Sequence, residues 1–100
     1  MIDLDPYYAQ IEDVCKQFDV KRLELFGSSA RADAYSGSDI DLLVEFNDLY
    51  SRGISDRYFG LIDALTSVFE RPVDLVEVNA VQNPYFKESI EKDRRLIYEQ

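Results

Sequence analysis

The sequence predicts an α/β (α+β) domain in which a small mixed β-sheet is flanked by helices. Apolar residues recur at helical spacing in two stretches, and three other stretches carry alternating or clustered β-branched and aliphatic residues. Helix-like and strand-like stretches alternate along the chain, an order typical of domains that combine helices with a sheet. The chain has 100 residues, 46% of them hydrophobic, so we expect one domain spanning residues 1–100.

The first helix is predicted to begin at Asp5-Pro6, with Asp5 as the N-cap and the proline in the first turn. Cys15 lies in the apolar stripe of this helix and is expected to pack there as a small hydrophobic residue. The stripe consists of Tyr7, Tyr8, Ile11, Val14, Cys15 and Phe18. A short strand is predicted next over Leu23–Phe26, and it runs directly into Gly27-Ser28.

The second strand is predicted over Asp39–Phe46, where polar and apolar residues alternate. A short helical piece over Ala30–Ala34 and a turn over Tyr35–Ser38 are expected to precede it. One face of the strand carries Ile40, Leu42, Val44 and Phe46. The other face carries Asp39, Asp41, Leu43 and Glu45, a mixture that is not a purely polar surface.

A second helix follows a polar loop, and Ser55 or Asp56 is expected to cap it. Arg71-Pro72 ends this helix, because proline cannot continue the hydrogen-bonded ladder. Its apolar stripe has helical spacing and consists of Tyr58, Leu61, Ile62, Leu65, Val68 and Phe69.

The last quarter of the chain predicts a third strand over Val73–Val78, which is rich in β-branched residues. A last helix is expected to begin at Asn83-Pro84 and to run through about residue 93. Arg94-Arg95 is expected to be a solvated pair, and Leu96–Tyr98 a short strand or tail.

Composition and charge exclude several classes of function. There is no histidine and only one cysteine, which excludes histidine-based nucleophilic catalysis, a disulfide framework and a cysteine-rich zinc site. The net charge is −9, which disfavours nucleic acid and anionic membranes and favours divalent cations or a basic protein partner. The apolar runs are too short to span a membrane, and the acidic N-terminus is not a signal peptide, so we expect a cytoplasmic protein.

Asp39 and Asp41 are the first candidate site residues. Residues two apart on a strand face the same side, roughly 6.5 Å apart at the Cα atoms, so the two carboxylates can converge. Such carboxylates repel one another unless a cation neutralises them, and Mg²⁺ binds one or two carboxylates together with substrate phosphates. The alternative is a solvated sheet face. A third acid, Asp74, lies among apolar residues of the third strand and favours the metal site.

Gly27-Ser28 is a candidate anion-binding turn. Glycine at the end of a strand allows close approach of backbone N–H groups to a ligand, and the Ser28 hydroxyl adds a donor. If a helix begins at Ala30, its N-terminus faces the same place, and Arg31 can pair with a phosphate through two hydrogen bonds.

Gly27-Ser28, ten intervening residues and Asp39-Ile40-Asp41 resemble the Gly-Ser-x10-Asp-x-Asp motif of the DNA polymerase β-like nucleotidyltransferase superfamily. The size of the chain and its Phe-Gly-Ser-x-Ala-Arg start look like the MNT (MntA-type) minimal nucleotidyltransferases, and the resemblance covers nearly the whole chain. One departure is Ala32, where the family often has glycine. The resemblance implies a polymerase β-like fold.

The resemblance also implies roles for these residues. Gly27 and Ser28 would bind the triphosphate of ATP, with Arg31 beside them. Asp39 and Asp41 would hold Mg²⁺. Asp74 would complete the metal site or help to activate the acceptor hydroxyl.

MNT proteins are typically antitoxins encoded beside a HEPN ribonuclease toxin, so the resemblance implies transfer of AMP from ATP to a tyrosine hydroxyl of such a toxin. The expected assembly is a hetero-oligomer with the toxin, with no direct binding of nucleic acid or membrane. Two alternatives remain open. The chain could neutralise a toxin by binding alone, or it could be the nucleotidyltransferase subunit of an enzyme that modifies a small molecule or an antibiotic.

Overall fold

Two helices and a four-stranded mixed sheet make up the described part of the chain, as the sequence predicts. The computed structural model describes residues 4–27, 39–47, 53–78 and 94–100. The predictions for Ala30–Ala34, Tyr35–Ser38 and the last helix lie outside these residues. After a 3-10 turn (Asp5–Tyr7), the elements are α1 (Tyr8–Gln17), β1 (Val20–Leu25), β2 (Ile40–Phe46), α2 (Ile54–Phe69), β3 (Val73–Glu77) and β4 (Arg95–Glu99).

The strands lie in the order β3-β2-β1-β4. β1 pairs antiparallel with both β2 and β4, whereas β2 and β3 are parallel. Parallel neighbours need a crossover connection, and α2 lies between β2 and β3 in the chain. β2 is therefore an inner strand of the described sheet, with the parallel strand β3 beside it.

The core lies between the helices and one face of the sheet. The predicted apolar face of β2 is fully or nearly fully buried there, because alternate side chains of a strand point to the same side. The apolar stripe of α2 packs against it, with Leu61 and Leu65 completely buried. Burial of a leucine or isoleucine side chain contributes roughly 1.5–3 kcal/mol, which is why these alternations decide the fold.

The other face of the sheet carries a second, smaller apolar cluster. Phe26 and Leu43 are buried in it, and Val76 and Val78 pack against them. This cluster explains why Leu43 follows Asp41 on the face that carries the carboxylates. The candidate site residues therefore lie on the sheet face that is opposite to α1 and α2.

The predicted helix caps are wrong. Asp5 lies inside the 3-10 turn, and Leu4 occupies its N-cap position without a side-chain cap. Leu4 is 1% exposed, so its burial fixes the start of the turn in place of a carboxylate cap. α2 follows Gly53, whose φ of 85° only glycine adopts readily, and neither Ser55 nor Asp56 caps it.

Strand β1 begins at Val20, three residues before the predicted start. The pairing of β1 with β2 is irregular between Val20 and Arg22, so the start of this strand shows no simple alternation of buried and exposed residues.

Two further predictions have clear outcomes. Leu96–Tyr98, predicted as a short strand or tail, belongs to the strand β4. Tyr8 is 37% exposed, although we expected it to pack. In the described ranges, no helix has the length and apolar character needed to cross a bilayer.

Cys15 is expected to resist thiol reagents in the folded protein at pH 8. It is fully buried, and desolvation raises the pKa of its thiol to about 12, so only about one thiol in 10⁴ is ionised at that pH. The unfolded thiol ionises above about pH 8.5, so this group stabilises the fold less as pH rises past that value. Labelling with a chromogenic disulfide should be slow in buffer and fast in urea. Rapid labelling without urea would contradict the buried position.

Candidate active site

Asp41 and Asp74 lie directly opposite one another on β2 and β3. Because register partners in a parallel pair point to the same side, both carboxylates emerge on the sheet face away from the helices. Neighbouring strands lie about 4.8 Å apart, so the two side chains can reach a common ligand. Asp41 is half-buried and Asp74 is exposed, which leaves this pair accessible at the side of Asp74.

Gly27 approaches the same carboxylate from β1. The N–H of Phe26 donates to the carbonyl of Asp41 over 3.1 Å, which continues the ladder one residue beyond β1. Gly27 then turns with a φ of 58°. A Cβ atom at this position would lie 3.1 Å from Oδ2 of Asp41, which is closer than ordinary van der Waals contact. A side chain at position 27 would therefore crowd the carboxylate, and glycine leaves room for it. Gly27 and Asp41 thus form one corner of the candidate site.

Asp39 immediately precedes β2 and is exposed. The next residue, Ile40, donates its N–H to the carbonyl of Pro72 over 2.9 Å, which ties the start of β2 to the start of β3. Asp39 therefore lies at the same end of the sheet as Asp41 and Asp74. Ser28 and Arg31, the other two predicted site residues, lie outside the described residues.

The carboxylates of Asp41 and Asp74 fit a hard divalent cation, because such ions prefer oxygen ligands and would relieve the repulsion between two adjacent acids. In residues 4–27, 39–47, 53–78 and 94–100, no group of three acidic or cysteine side chains is arranged to hold a metal. Of the three predicted ligands, Asp41 and Asp74 thus lie opposite one another, and Asp39 lies at the same end of the sheet.

Tyr58 of α2 contacts the strand that carries Asp74. Its hydroxyl donates a hydrogen bond to the carbonyl of Leu75. Burial raises the pKa of Tyr58 above its usual value, and the negative charge of Asp74 raises it further. The sequence predicts Tyr58 only as a packing residue, since a helical stripe carries no sign of a polar contact with a strand.

A buried ion pair lies farther along the same sheet face. Glu24 is 4% exposed, and Arg94 donates to it from Nε over 2.8 Å and from Nη2 over 2.6 Å. Nε of Arg22 lies 2.9 Å from the same carboxylate. Arg94 is therefore not half of a solvated pair, as we expected from the sequence. Its partner is 70 positions away, which no local pattern reveals.

The nucleotidyltransferase domain family matches residues 8–97 of the chain. The chain belongs to this family. A protein of Methanocaldococcus jannaschii that is provisionally named a protein adenylyltransferase is 42% identical over 82 residues, which are 82% of this chain and 79% of that protein. This nucleotidyltransferase thus matches its relative over most of both lengths.

Solved structures share the fold of this nucleotidyltransferase. One, provisionally named a minimal nucleotidyltransferase, has a TM-score of 0.71 and 29% identity, and the match covers 94% of this chain and 95% of that one. A toxin–antitoxin structure with AMP-PNP has a TM-score of 0.71 at 19% identity and matches 93% of this chain and 73% of the other.

A third structure is a tri-AMPylated HEPN toxin of Shewanella oneidensis in complex with an MNT antitoxin. Its TM-score is 0.67 at 17% identity, and the match covers 98% of this chain and 74% of that one. The family match, the relative at 42% identity and the minimal nucleotidyltransferase at 29% identity confirm the MNT minimal type, as the Gly-Ser and Asp-x-Asp motif predicts. The two toxin–antitoxin structures share its fold.

Gly27→Ala is expected to lower the activity of the nucleotidyltransferase about 10-fold. Alanine in the left-handed region costs about 1 kcal/mol of stability. Its Cβ would also displace the carboxylate of Asp41, and misplacement of a reacting group by about 1 Å can cost 10²-fold in rate. Gly53→Ala is the matched control, because Gly53 also has a positive φ but, among the described residues, no atom lies within 4 Å of the added Cβ. Equal losses of activity in the two variants would contradict the role of Gly27.

Proposed function

We propose that this nucleotidyltransferase transfers AMP from ATP to a tyrosine hydroxyl of a cognate HEPN ribonuclease toxin, in a Mg²⁺-dependent reaction, and so acts as an antitoxin in the cytoplasm. The pairing of Asp41 with Asp74 beside Gly27 is the observation that supports this proposal most strongly. We expect the whole chain, residues 1–100, to act as one domain.

Each site residue has a role in this proposal. Gly27 and Ser28 bind the triphosphate through backbone and hydroxyl donors, and Arg31 pairs with a phosphate. Asp39 and Asp41 hold Mg²⁺, which neutralises phosphate charge when bound. Asp74 completes the ligand set or accepts a proton.

The reaction needs placement and charge neutralisation rather than a protein nucleophile. The phenol oxygen of the acceptor tyrosine forms a bond to the α-phosphorus of ATP. The bond from that phosphorus to the bridging oxygen of pyrophosphate breaks, and pyrophosphate leaves with the bonding electrons. The phenol proton passes to a carboxylate of the site or to solvent. No histidine takes part, which agrees with a chain that has none.

The partner is proposed on two grounds. The relatives and structural neighbours include a protein adenylyltransferase by provisional name and an MNT antitoxin bound to an AMPylated HEPN toxin. The net charge of −9 favours a basic partner, and a ribonuclease that binds RNA phosphates would present such a surface.

The proposal is tested with the chain and the toxin from the neighbouring gene. The two proteins are incubated with Mg²⁺ and with ATP labelled at either the α- or the γ-phosphate. We expect label on the toxin from α-labelled ATP only, loss of label with a chelator, and a mass increase of the toxin by AMP on a tyrosine. A toxin that is bound and neutralised without any label would contradict AMP transfer and favour neutralisation by binding alone.

A further inference from the structure

Asp74 lies on an edge strand of the described sheet. In the sheet order β3-β2-β1-β4, β3 has only β2 as a described neighbour. Ladder hydrogen bonds to β2 hold one side of this strand, while an edge strand presents its other side without a partner strand. The position of Asp74 therefore depends on what fixes the outer side of β3.

The direction of the Leu75 carbonyl follows from the ladder. The carbonyl of Pro72 accepts from Ile40 of β2. Because backbone groups of a strand alternate in direction, Pro72 and Asp74 direct theirs toward β2, and Leu75 directs its carbonyl away from β2. Tyr58 donates to this outward carbonyl from α2, so its hydroxyl binds the edge strand one residue after Asp74.

Tyr58 is well anchored for this contact. Its ring packs against the main core, and it makes an edge-to-face contact with Phe59 at a centroid distance of 5.3 Å. Its hydroxyl is protonated and able to donate at neutral pH, as in any tyrosine, and desolvation raises its pKa further. The hydroxyl of Tyr58, held by helix α2, thus donates to the Leu75 carbonyl on the side of β3 that faces away from β2.

We propose that Tyr58 is a positioning residue whose hydroxyl fixes the outer side of β3 and so keeps the carboxylate of Asp74 opposite Asp41. This inference rests on the proposed function, because it assumes that Asp74 belongs to the metal and nucleotide site. Tyr58 touches neither substrate nor metal in this account. It acts through the backbone of Leu75.

Tyr58→Phe removes the hydroxyl and keeps the ring. Loss of a group that orients a metal ligand typically costs 10- to 100-fold in metal affinity or activity. We expect Tyr58→Phe to weaken the binding of Mn²⁺ in the presence of ATP about 10-fold, measured by electron paramagnetic resonance on the chain alone. In the toxin-labelling assay, kcat should fall more than the KM for ATP rises. A merely structural role would lower the amount of folded protein without moving the Mn²⁺ affinity.

Tyr7→Phe is the matched control, since Tyr7 also packs against the core but makes its ring contact with Phe69 of α2, whereas the hydroxyl of Tyr58 bonds to β3. It should leave Mn²⁺ binding unchanged. p-Aminophenylalanine at position 58 restores a donor, should rescue binding, and provides a second test if Tyr58→Phe fails to fold. Unchanged Mn²⁺ affinity in Tyr58→Phe, or no rescue by the amino group, would overturn this inference alone. Failure of the wild-type chain to bind Mn²⁺ with ATP would overturn the proposed function and this inference with it.

Discussion

Asp41→Asn is expected to lower the kcat of the proposed AMP transfer about 10³-fold and to leave the thermal unfolding of the protein nearly unchanged. Asp41 is the carboxylate that Gly27 and Asp74 both approach, so it lies at the centre of the candidate site. Charge stabilisation by a bound cation contributes several kcal/mol to a transition state, and about 4 kcal/mol corresponds to 10³-fold in rate. The fold should persist, because the substitution removes one of two adjacent negative charges and keeps the side-chain shape.

The measurement is the rate of toxin labelling at saturating Mg²⁺ and ATP, together with a thermal melt. Asp63→Asn is the matched control, since Asp63 is an exposed acid of α2 and the substitution changes the charge equally. Asp63→Asn should retain full activity. An Asp41→Asn variant that labels the toxin at the wild-type rate would exclude Asp41 from the site.

Arg94→Met is expected to destabilise the fold by about 3 kcal/mol. The substitution removes two hydrogen bonds from the carboxylate of Glu24, which stays 4% exposed. Breaking a buried ion pair from one side costs about 3–5 kcal/mol because the remaining charge is desolvated. We expect a cost at the lower end of this range, because Nε of Arg22 still lies 2.9 Å from the carboxylate of Glu24.

The reverse substitution, Glu24→Met, should cost less. The side chains of Arg22 and Arg94 are 42% and 29% exposed, so both guanidinium groups can turn toward water once Glu24 is gone. Urea unfolding measures both variants, with Arg95→Met as the control for loss of a neighbouring arginine. The account is wrong if Arg94→Met and Arg95→Met lose the same free energy of unfolding, or if Glu24→Met loses more than Arg94→Met.

The strands that carry the site could be predicted from the sequence. Alternation over residues 39–46 fixes which side chains of β2 are buried, and the structure confirms both faces. The helical stripe of α2 is confirmed in the same way. These features depend on periods of two and 3.6 residues, and a short window of sequence contains them.

The register and the polar contacts could not be predicted. That Asp41 lies opposite Asp74 depends on which strands are neighbours and on how they are aligned, and neither is encoded by a local period. The contacts from Tyr58 to Leu75 and from Arg94 to Glu24 join distant parts of the chain. The predicted cap at Asp5 failed because burial of Leu4 outweighs a local preference of about 1 kcal/mol.

The pairing of β1 with β4 has a consequence for how the protein folds. These strands pair residues that are 70 or more positions apart, and one of the pairs includes the buried Glu24. Closing so long a loop costs entropy before any contact forms, so proteins rich in such pairings fold slowly compared with helical bundles. During synthesis on the ribosome, β1 has no second neighbour until residues 95–99 have emerged. The nascent chain therefore exposes one side of β1 while residues 26–94 are being synthesised.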